Sequence, residues 1–92
     1  MIQSFRHKGL RRFFEQDDRS KLPQDMVVRI GSVLALLDEA SALDALSLGS
    51  LRLHPLKGDL DGFYAVTVRA NWRIIFRFDG QDIWDVDFVD YH

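Results

Sequence analysis

The chain has 92 residues and a formal net charge of −2; 47% of its residues are hydrophobic, 12% aromatic and 28% charged, and none is cysteine. That length supports one core, so the expectation is a single domain over residues 1–92, with too much apolar content for intrinsic disorder. Without cysteine a disulfide scaffold and a thiolate metal site are excluded, and no apolar run approaches the ~20 residues of a membrane span, so the expected setting is the cytoplasm and no membrane.

Residues 2–5 alternate enough to form an edge strand or an N-terminal arm. Over residues 8–16, Leu10, Phe13 and Phe14 recur at helical spacing and leave Arg11, Arg12 and Glu15 outside. The run Asp17-Asp18-Arg19-Ser20 breaks that helix, and Pro23 suits the first turn of a second. Val27, Ile30, Leu34 and Leu37, widened by Met26, Val33 and Leu36, carry the second helix to about Ala40. Leu43, Leu46 and Gly49 predict a short helical turn and then a loop.

After Pro55 and Gly58 the period changes to two. Tyr64, Val66 and Val68 share one face, opposite Phe63, Ala65, Thr67 and Arg69. Trp72, Ile74, Phe76 and Phe78 form the next apolar row, and Trp84, Val86 and Phe88 the last. Bringing all rows to one face sets Arg69 against Arg73, Val66 against Phe76, Ile74 against Val86 and Phe76 against Trp84. Both registers demand an odd connection or a bulge, and burial is weighed above the two-residue turn that Asp79-Gly80 suggests. The expected fold class is therefore α+β, two N-terminal helices packed on a small antiparallel sheet. The uncovered face should carry Arg69, Arg73, Arg77 and Tyr91 together, beside Asp85 and Asp87.

Net acidity ordinarily argues against binding nucleic acid, but the charges are unevenly placed. Arg6, His7, Lys8, Arg11 and Arg12 form one basic cluster; Arg52, His54, Lys57, Arg69, Arg73 and Arg77 form a second. The acids concentrate at Asp79, Asp82, Asp85, Asp87 and Asp90. Solvated surface charge is the plainer account of the first cluster; a grip on a polyanion is the sharper one.

The second cluster suits metal-free chemistry on a phosphodiester. Such chemistry needs a base for the ribose 2′-OH, an acid for the leaving 5′-oxygen, and cations around phosphorus. Arg69 and Arg73 across a turn could hold phosphate oxygens, unless Asp85 or Asp87 simply pairs with them. His92 is a candidate proton carrier because an unperturbed imidazole titrates near neutrality, although a terminal histidine is usually a frayed end. Tyr91 could stack on a base, and Lys57 could touch phosphate; a plain strand aromatic and a solvated lysine are the blander accounts. His54, before Pro55, could equally be a loop residue satisfying backbone groups. The three histidines lack metal-ligand spacing, and no Gly-rich phosphate loop or nucleophile elbow occurs.

Three stretches occur in order: Leu53-His54-Pro55-Leu56-Lys57-Gly58-Asp59, then Thr67-Val68-Arg69-Ala70-Asn71-Trp72-Arg73-Ile74, then Asp90-Tyr91-His92. With the opening Met1-Ile2-Gln3-Ser4-Phe5-Arg6-His7-Lys8-Gly9-Leu10, they make nearly the whole chain resemble the HigB-type toxins of the RelE/ParE superfamily. The resemblance implies a type II toxin that cuts mRNA in the ribosomal A site without metal or cofactor, the 2′-OH attacking to leave a cyclic phosphate. It implies a HigA-like helix-turn-helix antitoxin as partner, besides ribosomal RNA and mRNA. Carried over by position, it points to Arg73 at the scissile phosphate, Arg69 and Lys57 positioning the RNA, Tyr91 orienting the nucleotide and His92 carrying the proton. His54 and Asp90 would be supporting contacts. Apart from that carry-over, the basic residues Arg6, Lys8, Arg11 and Arg12 would offset the acidic last strand by gripping the ribosome. The competing reading on the same fold is a ParE-like, non-catalytic poison of DNA gyrase; a member that only titrates an antitoxin is a third.

Overall fold

The computed structural model describes residues 1–91 of the chain. Its elements are α1 (Lys8–Gln16), α2 (Val27–Glu39), β1 (His54–Pro55), β2 (Phe63–Arg69), β3 (Trp72–Asp79) and β4 (Asp82–Asp90), with 3-10 turns at Gln24–Met26, Leu43–Leu46 and Gly58–Leu60. The architecture is α+β: two α-helices, then a four-stranded antiparallel sheet of order β1-β2-β3-β4.

Local chemistry sets the helix limits. His7 caps α1, its Nδ1 accepting the Leu10 N–H at 3.1 Å, and Asp17 ends the helix at a left-handed φ of 55°. Pro23 leads into a single 3-10 turn, after which α2 buries Val27, Ile30, Val33, Leu34 and Leu37 at the expected spacing. Extended backbone at Ala40 stops it. That stripe, with Leu10 of α1, packs on Val66, Val68, Ile74, Phe76, Ile83, Val86 and Phe88 of the sheet. Trp72 closes one end of this core by stacking on Phe88 with ring centroids 4.7 Å apart.

The hairpin registers differ from expectation. Val66 faces Ile74 rather than Phe76, Thr67 faces Arg73, and Ile74 faces Phe88 rather than Val86. A slip of two leaves each side chain on its own face, so the core row Trp72, Ile74, Phe76 and Phe78 survives. Both loops are tight, Ala70-Asn71 between the pair Arg69–Trp72 and Gly80-Gln81 between Asp79–Asp82. Each takes a left-handed first residue, Ala70 at φ 51° and Gly80 at φ 67°. The odd residue sits inside the strands instead. Val68 is the extra residue of β2, and in β4 Asp85 and Val86 together face Phe76, with Asp85 at φ 55°.

Each bulge overturns one expectation. Beyond the β4 bulge the alternation inverts, so Ile83 enters the core and Trp84 stands opposite Arg77 on the other face. Beyond the β2 bulge Arg69 opposes Trp72, not Arg73. Both sheet edges are blunted. Residues 2–5 run along β4 through the parallel bridges Ile2–Ile83 and Phe5–Val86, and β1 is two residues long and contains Pro55.

Candidate active site

The face turned away from the helices holds a small apolar cluster of its own, Leu56, Phe63, Ala65 and Ile75, with Leu60 and Val89 at its margin. The chain around β1 explains it. Leu53 packs into the main core while Leu56 enters the small one, so the edge strand is fixed from both sides. Leu56 N–H donates to the Phe63 carbonyl at 2.8 Å, and Gly58 at φ 68° turns the chain so that Leu60 returns to the cluster. Lys57 is exposed between these two anchors. The spacing of Leu53-His54-Pro55-Leu56-Lys57-Gly58-Asp59 thus builds a pinned platform for one lysine.

Register gathers four polar side chains toward one end of this face. His54 opposes Ala65, Thr67 opposes Arg73, and Arg73 opposes Val89. Tyr91 N–H donates to the Asn71 carbonyl at 2.8 Å, extending the ladder so that alternation sets Tyr91 diagonally beside Arg73. His54 is half-buried with Nδ1 3.0 Å from the Arg52 carbonyl, and Tyr91 is exposed. Lys57 lies toward the other end, near the row of Phe63, Arg77 and Trp84. Asp90 is exposed and opposes Trp72, which puts it on the helix-side face by alternation. His92, the expected proton carrier, lies outside the described residues.

The three arginines have different partners. Arg77 Nε donates to Asp85 Oδ2 at 2.7 Å, and this hydrogen bond holds the Asp85 carboxyl below its ordinary range against the opposing effect of burial. Ser4 Oγ bonds the same carboxylate at 3.3 Å. Arg69 forms an ion pair with Asp25, at the turn before α2. The expected pairing of Arg69 beside Arg73 is therefore absent, because the bulge at Val68 separates them. Arg73 donates through Nη1 to the carbonyls of Ala70 and Trp72, and no carboxylate pairs with it among the described residues. Of the three, Arg73 keeps a charge that an incoming anion can use.

The N-terminal cluster is dispersed. Arg6 lies over the Phe63 ring, 4.9 Å from its centroid, so it belongs to the open face. Arg12 is 3.9 Å from Asp18, while Lys8 and Arg11 are exposed on α1. Two residues on the open face escaped sequence reasoning. Thr67 Oγ1 and Trp84 Nε1 are buried without a hydrogen-bond partner among the described residues. Thr67 was legible by alternation alone; Trp84 was not, since the sequence calls for an odd connection or a bulge but does not place it at Asp85.

Chemically, the face offers a guanidinium with no carboxylate partner among the described residues, a phenol diagonal to it, an imidazole two strands away and an ammonium farther along. Residues of these types are chemically suited to an anion and to a planar ring. The whole chain aligns with "Endoribonuclease HigB" of Proteus vulgaris at 45% identity over 92 residues, covering 100% of both proteins. Among solved structures, a YoeB–YefM complex from Staphylococcus aureus superposes with a TM-score of 0.61 at 21% identity, covering 100% of this chain and 98% of that one. A YoeB/ParE toxin from Agrobacterium tumefaciens superposes with a TM-score of 0.58 at 19% identity, over 97% and 99% of the two chains. At such identities these structures speak for the fold. A family model described as the RelE-like toxin of type II toxin–antitoxin system HigB matches residues 3–92. On a match of that extent, the chain belongs to the HigB-like family of RelE-like toxins of type II toxin–antitoxin systems.

Proposed function

We propose that this toxin is an endoribonuclease that cleaves mRNA in the ribosomal A site and so halts translation. The observation that carries the reading is the full-length similarity to an endoribonuclease of the same family. Arg73, free of any carboxylate among the described residues and diagonal to Tyr91, supports it from the geometry.

In this reading the ribose 2′-OH attacks the adjacent phosphorus, its proton passing to a base. The 5′-oxygen leaves with a proton, and a 2′,3′-cyclic phosphate remains. Arg73 stabilises the charge gathering on the phosphoryl oxygens. Tyr91 orients the nucleotide and His92 carries the proton. Lys57 positions the RNA from its platform, with His54 and Asp90 in support. Arg69, held by Asp25 beyond the bulge, makes an outer contact with RNA. All chemical steps run on side chains and the substrate hydroxyl, with no metal or cofactor. A HigA-like antitoxin of helix-turn-helix type is the neutralising partner, and the ribosome docks against the exposed Lys8 and Arg11 together with Arg6 and Arg12.

The test is to add purified protein to a reconstituted translating ribosome and map mRNA ends by primer extension, with Arg73→Ala in parallel. New ends at A-site codons with wild type, reduced at least about 100-fold by the variant, are expected from loss of the main charge-stabilising group. Cleavage that survives in Arg73→Ala would discard its central role. Absence of cleavage with active ribosomes, together with gyrase-dependent DNA breaks, would favour the gyrase-poison reading, which no comparison supports.

A further inference from the structure

Two buried polar atoms without partners among the described residues stand on one rung of the sheet. Thr67 Oγ1 and Arg73 Nε are both out of reach of solvent, neither bonds to the other or to any described residue, and Thr67 and Arg73 are direct cross-strand partners. Orphaned buried groups of this kind are uncommon and costly, and each calls for an explanation.

The backbone of Thr67 brings the two close. Its N–H donates to the Leu51 carbonyl at 2.7 Å, and its carbonyl accepts from Arg29 Nη2 at 3.1 Å. Both groups therefore point away from β3, which makes Thr67–Arg73 a non-hydrogen-bonded pair. In such pairs the Cα atoms approach to about 4.5 Å and the side chains are closer than elsewhere in the ladder. The same two bonds anchor Thr67 to α2 and to the segment before β1. Among the described residues, the Arg73 side chain hydrogen-bonds through Nη1 alone, to the Ala70 and Trp72 carbonyls at the hairpin end.

The atoms are chemically complementary, since an Nε–H donates and a hydroxyl oxygen accepts. We propose that Thr67 is a positioning residue for Arg73: when a phosphate draws the guanidinium off the hairpin carbonyls, Nε–H donates to Thr67 Oγ1, and this bond holds the remaining guanidinium donors in one plane toward the phosphate oxygens. Without phosphate both atoms lack a partner among the described residues, and in the engaged state they pair with each other. The idea rests on the endonuclease reading and specifies how its central arginine is oriented. A fork held at its base keeps bidentate geometry, which a freely rotating side chain loses.

The test compares wild type, Thr67→Val and Thr67→Ser in the same ribosome-dependent assay, with thermal unfolding of each. Valine keeps the β-branched shape and removes an unsatisfied hydroxyl, so the melting temperature should hold or rise. Its single-turnover cleavage rate should fall by about 10- to 100-fold, the loss of one hydrogen bond to a charged group. Serine restores the oxygen and should bring the rate back to within a few-fold of wild type. In an Arg73→Lys background, which lacks an Nε–H, Thr67→Val should cost nothing further. Wild-type cleavage by Thr67→Val overturns the inference and leaves the endonuclease standing. A fall in melting temperature and rate that serine does not rescue also overturns it, by making Thr67 merely structural. If wild type itself fails to cleave, the endonuclease reading falls and takes this inference with it.

Discussion

Asp85 shows how much one side chain can be asked to do. It carries the β4 bulge at φ 55°, accepts from Arg77 Nε at 2.7 Å, and ties the N-terminal arm through Ser4, whose Oγ accepts the Asp85 N–H at 2.8 Å. Its carboxyl is held below the ordinary value, first by the hydrogen bond from Arg77. A depressed folded-state pKa contributes stability that is fully present above the unfolded value, about 3.9, and is lost as pH falls through the folded one. Wild type should therefore lose melting temperature more steeply as pH falls below about 4 than Asp85→Asn, whose side chain also tolerates left-handed backbone. Equal slopes in a pH series of unfolding curves would show that the pairing has no net energetic weight. The residue scale also separates three arginines of like appearance. Only partners found in space, Asp25 for Arg69 and Asp85 for Arg77, single out Arg73.

At the scale of elements, the bulges and tight turns decide which side chains share a face. Gly80 opens the second hairpin at φ 67°, and a Cβ added there would meet nothing within 4 Å. The effect of Gly80→Ala is thus purely one of backbone strain, and a loss of about 1–2 kcal/mol is expected by denaturant titration. Gly49 is equally open but has no left-handed φ, so Gly49→Ala should be neutral or stabilise by up to about 1 kcal/mol. The opposite signs are the prediction, and a matching cost at both positions would contradict it. Helix limits and the α2 stripe, by contrast, followed from local spacing, because a helix satisfies its hydrogen bonds within its own segment and owes little to register; in α1 the expected stripe holds for Leu10 and Phe13, while Phe14 is exposed.

For the whole molecule, one main core carries the stability. Ile74 is fully buried between Val66 and Phe88 in that core, and Ile74→Ala should cost about 2–5 kcal/mol against a total of about 5–15 kcal/mol for a domain of this size. A cost under 1 kcal/mol in chemical denaturation would mean that the site collapses around the cavity. The net charge of −2 sets the second prediction at this scale. Arg6 is engaged with Phe63 and Arg12 with Asp18, so Lys8 and Arg11 are the cleanest probes of the N-terminal cluster. Reversing both to glutamate should weaken ribosome affinity and flatten its salt dependence, with the melting temperature unchanged. Unchanged binding across a salt series would remove α1 from the docking surface.

Composition, periodicity and turn chemistry by themselves determined the α+β class, both helices, the three long strands and the core row from Trp72 to Phe78. These rest on burial patterns that repeat within one element. The motif around His54 and Lys57 and the sequence from Thr67 to Ile74 were likewise legible as a candidate site. What only the tertiary structure decided was their company: that Arg69 leaves Arg73 for Asp25, that Trp84 stands on the open face while Ile83 fills the core, and that Thr67 lies against Arg73. The physical reason is common to all three. Alternation fixes a side chain's face only while the ladder is unbroken, and a bulge costs one residue that no local pattern announces. Where Val68 and Asp85 interrupt the strands, the choice among registers passes to contacts between segments distant in the chain.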